Sequence, residues 1–149
     1  MAFLLFVSCS EDRLFDEHYY SKDVGVWQEY FSGLGLEDKQ LKNRVLFVVN
    51  STICSPCENE LKYWDDMHPD IENSLNLIVV EKYHAVYKSF ISRLNLQMHA
   101  TQDSSALIFE RDLIPITPLK LYFNKNSEIE MIYPVGTNGR LDYFLERIR

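Results

Sequence analysis

The chain has 149 residues, which is enough for one domain with a sizeable hydrophobic core. Hydrophobic residues make up 46% of the sequence and charged residues 25%, which is ordinary for a folded globular protein. The formal net charge of -7 argues against a nucleic-acid partner and indicates no polyanionic partner. No stretch reaches the roughly 18–20 apolar residues that are needed to cross a membrane.

The N-terminal segment resembles a bacterial lipoprotein signal, whose cysteine is acylated after cleavage. An apolar run ends in Ser8 and Cys9, and the residues beyond it are polar, as a tether would be. Only eight residues precede Cys9 and none is basic, whereas signal peptides normally have about 15–30 residues and a basic start. A start codon assigned too far downstream would explain both features, and the alternative is a short N-terminal strand with a buried cysteine. We expect residues 1–23 to be a truncated lipoprotein signal and tether, lipidated at Cys9, ahead of one domain at residues 24–149.

The apolar pattern in the first half of that domain predicts two strands joined by a helix. Residues 45–49 and 75–80 are near-continuous apolar runs that are typical of buried strands. Between them, apolar residues recur at helical spacing up to Met67, and Pro69 ends the pattern. The order indicates a parallel βαβ unit.

Shorter elements complete the predicted order. Residues 119–123 and 128–133 are strands on either side of an Asn-Lys-Asn-Ser turn, which predicts a β-hairpin. Ser104 or Ser105 can cap a helix that runs to about Arg111. The other predicted elements are helices at residues 24–31 and 85–94, an extended piece at 97–101, and a last helix capped by Asn138.

The sequence Cys54-Ser55-Pro56-Cys57 lies between the first strand and its helix, which is the arrangement of thiol–disulfide proteins. Cys54 would lie beside the unpaired N–H groups and the positive dipole end of the helix, and both favour its thiolate. A thiol with a pKa of about 8.5 is roughly 3% thiolate at pH 7, and one with a pKa of about 7 is roughly half thiolate. Pro56 suits the first helical turn, and Cys57 faces inward, where it can resolve a mixed disulfide.

Two other interpretations of the cysteine pair are a zinc half-site and two inert buried thiols. Zinc usually needs a second pair of cysteine or histidine ligands, and the remaining cysteine, Cys9, is far away in the sequence. The histidines are scattered singly, at His18, His68, His84 and His99. The pattern therefore favours redox chemistry over metal binding.

From residue 36 to residue 149 the chain resembles the thioredoxin fold, and within it the TlpA/ResA-like extracytoplasmic thioredoxins of bacteria. The CxPC form of Cys54–Cys57 carries this resemblance. Glu60 matches a glutamate that these proteins place near the active site, and Asp103 matches an aspartate before the third helix. Thr117-Pro118, followed by a strand, matches the family's cis-proline.

The resemblance implies an α/β thioredoxin-like fold, in which a central mixed sheet is flanked by helices and followed by a C-terminal β-hairpin and helix. It implies a substrate-binding role for Thr117 and Pro118, because a cis-proline leaves the preceding backbone able to pair with an extended substrate. Pro115 is the competing cis-proline, but the strand pattern favours Pro118. For Glu60 the alternatives are a proton-handling residue near Cys57 and a solvated carboxylate on the helix surface.

Three positions depart from the family pattern. Ile53 replaces the usual tryptophan before the first cysteine, Lys62 replaces a proline, and Val48 lies where thioredoxins carry a buried aspartate. Proton handling by that aspartate is unavailable, which leaves Glu60 as the nearby candidate. Asp103 is better explained as a helix-start residue than as a catalyst.

The predicted function is thiol–disulfide exchange, in which Cys54 attacks a substrate disulfide and Cys57 resolves the mixed disulfide. The expected partners are protein thiols or disulfides and an upstream membrane or periplasmic redox donor, with no nucleic acid and no cofactor. A lipid anchor would be the sole membrane contact, at the periplasmic or cell-surface face of a bacterial membrane, and a soluble protein is the alternative. The rival functions are a non-catalytic thioredoxin-fold interaction module and a metallochaperone that uses the dithiol with a histidine such as His99.

Overall fold

The computed structural model describes residues 20–36, 42–67, 75–114, 117–136 and residue 146. Within these ranges the helices are α1 (Val24–Gly33), α2 (Ser55–Asp66), α3 (His84–Leu94) and α4 (Leu107–Glu110). The strands are β1 (Arg44–Asn50), β2 (Leu75–Val80), β3 (His99–Asp103), β4 (Leu119–Phe123) and β5 (Ile129–Pro134). The expected lipidation site at Cys9 and the predicted last helix with its cap at Asn138 lie outside the described residues.

The five strands of the described residues form one mixed sheet in the order β3-β2-β1-β4-β5. Strands β1, β2 and β3 are parallel to one another, with β2 between the other two. On its other side, β1 pairs with the antiparallel strand β4, and β4 forms a hairpin with β5. Because β1 is central and covered on both faces, its residues from Val45 to Val49 are all buried, as the continuous apolar run predicts. The predicted βαβ unit, hairpin and α/β mixed sheet are confirmed.

Side chains of β1 alternate between two hydrophobic cores, one on each face of the sheet. Val45, Phe47 and Val49 pack with Trp64 of α2 and with residues of α3 in the first core, which we call the dithiol-side core because it contains Cys57. Leu46 and Val48 pack in the second core with residues of α1 and α4. The fold is therefore a three-layer arrangement with helices on both faces of the sheet.

The expected serine cap of the helix after β3 is wrong. Helix α4 is a single turn whose N-cap is Ala106 in a left-handed conformation with φ 53°, and no side chain of that residue caps it. Instead, the buried Asp103 carboxylate accepts hydrogen bonds from the backbone N–H groups of Leu107 and Ile108, each at 3.0 Å. The aspartate is thus the helix-start residue, and it reaches over the two serines because the chain turns sharply after β3.

The described part of the predicted tether, residues 20–23, contacts the domain. The Ser21 backbone N–H donates to the Leu113 carbonyl oxygen at 3.0 Å, and Trp27 Nε1 donates to the Ser21 carbonyl oxygen at 2.8 Å. Asp23 caps α1 by accepting from the N–H groups of Gly25 and Val26. The chain therefore enters the domain on the face that carries α1 and α4.

Candidate functional site

The two cysteines stand at the start of α2 in unequal surroundings. Cys54 is the exposed N-cap residue, and its Sγ lies 3.3 Å from the backbone nitrogen of Cys57, which donates to it. Cys57 is 1% exposed and belongs to the dithiol-side core. The two residues form a disulfide with their Cα atoms 5.1 Å apart, and Pro56 occupies the first helical turn. The predicted exposed first cysteine and shielded second cysteine are both confirmed.

The backbone at Val135 and Gly136 covers the buried sulfur. Cys57 Sγ lies 3.6 Å from the Val135 carbonyl oxygen, to which the thiol of the reduced protein can donate. Gly136 has φ +92°, and a Cβ placed there would lie 3.0 Å from both the Sγ and the backbone nitrogen of Cys57. A glycine suits this position because it tolerates positive φ and allows the backbone to approach the sulfur.

Glu60 is buried rather than solvated, which rules out the surface-carboxylate alternative. It is 2% exposed, and its Oε1 accepts from Lys120 Nζ of β4 and, at 3.4 Å, from Trp64 Nε1. Its Oε2 accepts from the backbone N–H of Gly136, the residue that lies against the Cys57 sulfur. Glu60 therefore connects α2, β4 and the segment that covers Cys57.

Lys120 lies near the cysteine pair and was not predicted from the sequence. Its side chain is fully buried, and burial lowers its pKa while the Glu60 carboxylate opposes that lowering. A signal for it existed, because a lysine inside the apolar strand Leu119–Phe123 has no exposed face to occupy when the strand is covered on both sides. Lysine is almost never fully buried unless it is paired, so a lysine at this position predicts a buried acidic partner.

Thr117 and Pro118 lie beside the loop that leads to Cys54. Their peptide bond is cis, as the resemblance implies, and the competing Pro115 lies outside the described residues. The Asn50 side chain at the end of β1 donates from Nδ2 to Thr117 Oγ1 at 3.4 Å, and its Oδ1 accepts from the backbone and hydroxyl of Thr52, each at 3.2 Å. Asn50 thus joins the two loops that border the disulfide.

A groove of about 320 Å³ lies between the end of β1 and α3. Its lining includes Ser51, three residues before Cys54, and Arg93, whose guanidinium pairs with Glu58 of α2. Exposed Val86 and buried Phe90 supply apolar surface. The groove therefore offers mixed apolar and polar surface next to the start of α2.

Asp103 is structural in the described residues. Besides capping α4, its Oδ2 accepts from the Tyr30 hydroxyl at 3.1 Å. Burial, together with the negative charge of Asp103, raises the pKa of Tyr30, so this phenol stays protonated. These bonds lie on the face of α1 and α4, whereas Cys57 belongs to the opposite core.

No family model matches the chain. A curated relative, the thiol-disulfide oxidoreductase ResA of Bacillus cereus, is 24% identical over 121 residues, which cover 78% of this chain and 70% of the relative. A putative thiol:disulfide interchange protein DsbE from Chlorobium tepidum superposes with a TM-score of 0.62 at 11% identity, over 73% of this chain and 81% of that one. The chain has a thioredoxin-like fold and is similar to the thiol-disulfide oxidoreductase ResA. A secreted Mycobacterium tuberculosis disulfide oxidoreductase, described as homologous to E. coli DsbE, gives a TM-score of 0.57 at 15% identity, over 74% of this chain and 87% of its own.

Together, these relatives and the paired cysteines support a redox function for this chain. The three positions that depart from the pattern of the TlpA/ResA-like proteins lie in different surroundings. Ile53 is partly buried against the dithiol-side core, Val48 is fully buried in the opposite core, and Lys62 is exposed.

The described residues contain no group of three or more His, Cys, Asp or Glu side chains arranged to hold a metal ion. His99 begins β3 and lies opposite Asn76, near the start of β2. Cys54 follows the end of β1, which runs parallel to β2 and β3. His99 is therefore at the opposite end of the sheet from the cysteines. None of the described helices is long and apolar enough to cross a bilayer.

Proposed function

We propose that this protein catalyses thiol–disulfide exchange with protein substrates through the Cys54–Cys57 pair. The observation that carries the proposal is the unequal exposure of the two sulfurs at the start of α2. An exposed thiol at a helix N-terminus has its thiolate favoured by the helix dipole, and it is reachable by a substrate. A shielded partner sulfur one helical turn away is protected from outside disulfides but can still attack its neighbour.

In the reductive direction, the Cys54 thiolate attacks a substrate disulfide, forming a mixed disulfide and releasing one substrate thiolate. Cys57 then loses its proton and attacks the Cys54 sulfur, which forms the Cys54–Cys57 disulfide and releases the second substrate thiolate. Two electrons pass from the dithiol to the substrate. A membrane or periplasmic redox partner restores the dithiol by the same exchange, and reversing the sequence oxidises a substrate dithiol.

We assign substrate binding to the Thr117–Pro118 segment. The antiparallel pairing of β1 with β4 brings this segment against the end of β1, and the Asn50–Thr117 hydrogen bond ties it to the loop before Cys54. An extended substrate segment can pair with the backbone at Thr117 while its disulfide meets Cys54. The groove beside Ser51 and Phe90 gives adjoining surface for substrate side chains.

We assign Glu60 as the acceptor of the proton that Cys57 loses. Its carboxylate is buried and reaches the Cys57 region through Gly136, which suits a general base that acts directly or through one water.

We further propose that the protein acts outside the cytoplasm, held by a lipid on Cys9. The secreted relative and the apolar run that ends in Ser8-Cys9 support this placement. Fractionation of the full-length gene product in its host, with and without Cys9→Ala, tests the anchor. Loss of membrane association in the variant is the expected result, and an equally soluble distribution of both proteins would contradict it.

Reduction of insulin with a dithiol donor tests the catalytic proposal. The parent protein and Cys9→Ser should accelerate the reaction, Cys54→Ser should not, and Cys57→Ser should accumulate the mixed disulfide through Cys54. Ile53, in place of the family's tryptophan, favours a second candidate, a non-catalytic interaction module with a structural disulfide. That module would leave insulin reduction at the uncatalysed rate in the parent and in all variants.

A further inference from the structure

A lysine and a glutamate are buried together behind the cysteine pair. The side chains of Lys120 and Glu60 are both fully buried and in direct contact, although they are 60 residues apart in sequence. Lys120 lies opposite Phe47 of β1 and Tyr133 of β5 in the strand register, on the face that carries α2. Because removing one partner of a buried ion pair leaves an uncompensated charge, each of these residues depends on the other.

This ion pair is linked to the Cys57 sulfur through Gly136. Glu60 Oε2 accepts the Gly136 N–H, and the Cβ direction of Gly136 points to Cys57 Sγ at 3.0 Å. With ordinary backbone dimensions, these links keep the carboxylate within about 8 Å of the sulfur. At this range and an effective dielectric constant of about 20, a single uncompensated charge shifts a thiol pKa by roughly 1–2 pH units.

We propose that Lys120 is a positioning residue for the resolving step: it neutralises Glu60 and holds its carboxylate against Gly136, so that Cys57 can ionise. The proposal rests on the proposed dithiol function. A lone carboxylate beside Cys57 disfavours the thiolate, whereas a carboxylate paired with an ammonium group has little net field at the sulfur. The pair therefore keeps a proton acceptor near Cys57 without the charge repulsion that an unpaired glutamate would exert.

The experiment follows the two steps of exchange separately in stopped flow with Ellman's reagent and the reduced protein. Attack by Cys54 releases one thionitrobenzoate, and attack by Cys57 on the resulting mixed disulfide releases the second. The pH midpoint of the second release reports ionisation of Cys57. Lys120→Met should raise this midpoint by roughly 1–2 pH units, because Glu60 then faces Cys57 without its counterion. Glu60→Gln/Lys120→Met, which removes both charges, should bring the midpoint back towards that of the parent.

Two controls address neighbouring charges and titrating groups. Lys62→Met removes an exposed lysine of α2, the helix that carries Glu60, and should leave the pH midpoint of the second release unchanged. Among the described residues, the dithiol-side core contains the titratable side chains of Cys57, Tyr87, Tyr122 and Tyr133, and α2 adds the buried carboxylates of Glu60 and Asp65. Tyr133→Phe should therefore keep the parent midpoint, and circular dichroism checks that every variant is folded.

The outcomes separate this inference from the proposed function. A parent protein that gives no first release contradicts the dithiol function itself. If both releases occur but the midpoint is unmoved in Lys120→Met, or stays equally raised in the double variant, Lys120 has a structural role only. Reversal by the second substitution is the signature of charge compensation, because Glu60→Gln removes the charge that disfavours the Cys57 thiolate in the Lys120→Met variant.

Discussion

Replacement of Gly136 by alanine tests the close approach of the backbone to Cys57. The new Cβ would lie 3.0 Å from both the sulfur and the backbone nitrogen of Cys57, neither of which can swing aside as a flexible chain end does. The residue also has φ +92°, where a side chain costs roughly 1–2 kcal/mol in the left-handed region. Overpacking adds about 1–3 kcal/mol, so Gly136→Ala should lower the free energy of unfolding by about 2–5 kcal/mol.

Urea unfolding of the oxidised protein, followed by tryptophan fluorescence, measures this loss, because Trp27 and Trp64 report on the two cores. Gly33→Ala is the matched control: Gly33 ends α1, is exposed, and has nothing within 4 Å of the added Cβ. This control should be neutral or stabilise by about 0.5–1 kcal/mol. A Gly136→Ala protein that unfolds at the parent's urea midpoint would refute the tight contact with Cys57.

Three further predictions concern the site and its support. Alkylation of the reduced protein at mildly acidic pH, followed by peptide mapping, should label exposed Cys54 before Cys57, and preferential labelling of Cys57 would overturn the assignment of the nucleophile. Glu60→Gln leaves Lys120 buried without the Glu60 carboxylate and should lower the free energy of unfolding, measured in urea, by about 3–5 kcal/mol. The double variant Glu60→Gln/Lys120→Met should recover most of this loss. Equal stability of the parent and both variants would contradict the buried ion pair. Asp65→Ala leaves the backbone N–H groups of Gln97 and Met98 without their acceptor and should destabilise the protein by about 1–3 kcal/mol for each unpaired group. The neighbouring Asp66 is exposed, so Asp66→Ala should change the unfolding midpoint little.

Features that depend on local sequence were predictable. The apolar runs at β1 and β2 and the helical spacing after Cys57 fix both strands and α2, because each pattern repeats within a few residues. The order of Cys54 and Cys57 at a helix start likewise predicts which sulfur is exposed. The choice of Pro118 over Pro115 depended on the strand that follows, and the cis bond at Thr117–Pro118 agrees with it.

Features that depend on contacts between distant segments were not predictable in the same way. Burial of Glu60 follows from a lysine 60 residues later in the sequence and from the β1–β4 register that places that lysine under α2. On an isolated helix, a glutamate at that position is equally suited to solvent. The helix-start role of Asp103 was expected, but the serine cap was wrong for a related reason, because the left-handed turn at Ala106 brings the aspartate, rather than a serine, to the start of α4.

The division of the site between distant parts of the chain has a consequence during synthesis. The cysteines leave the ribosome well before Lys120, which follows Glu60 by 60 residues, and before Gly136, which follows it by 76. At roughly 5–20 residues per second, this interval lasts several seconds. During that interval the nascent chain carries both thiols without the strand and backbone segment that enclose Cys57. Cys57 therefore acquires its enclosed surroundings only when β4 has paired with β1 and β5 has paired with β4.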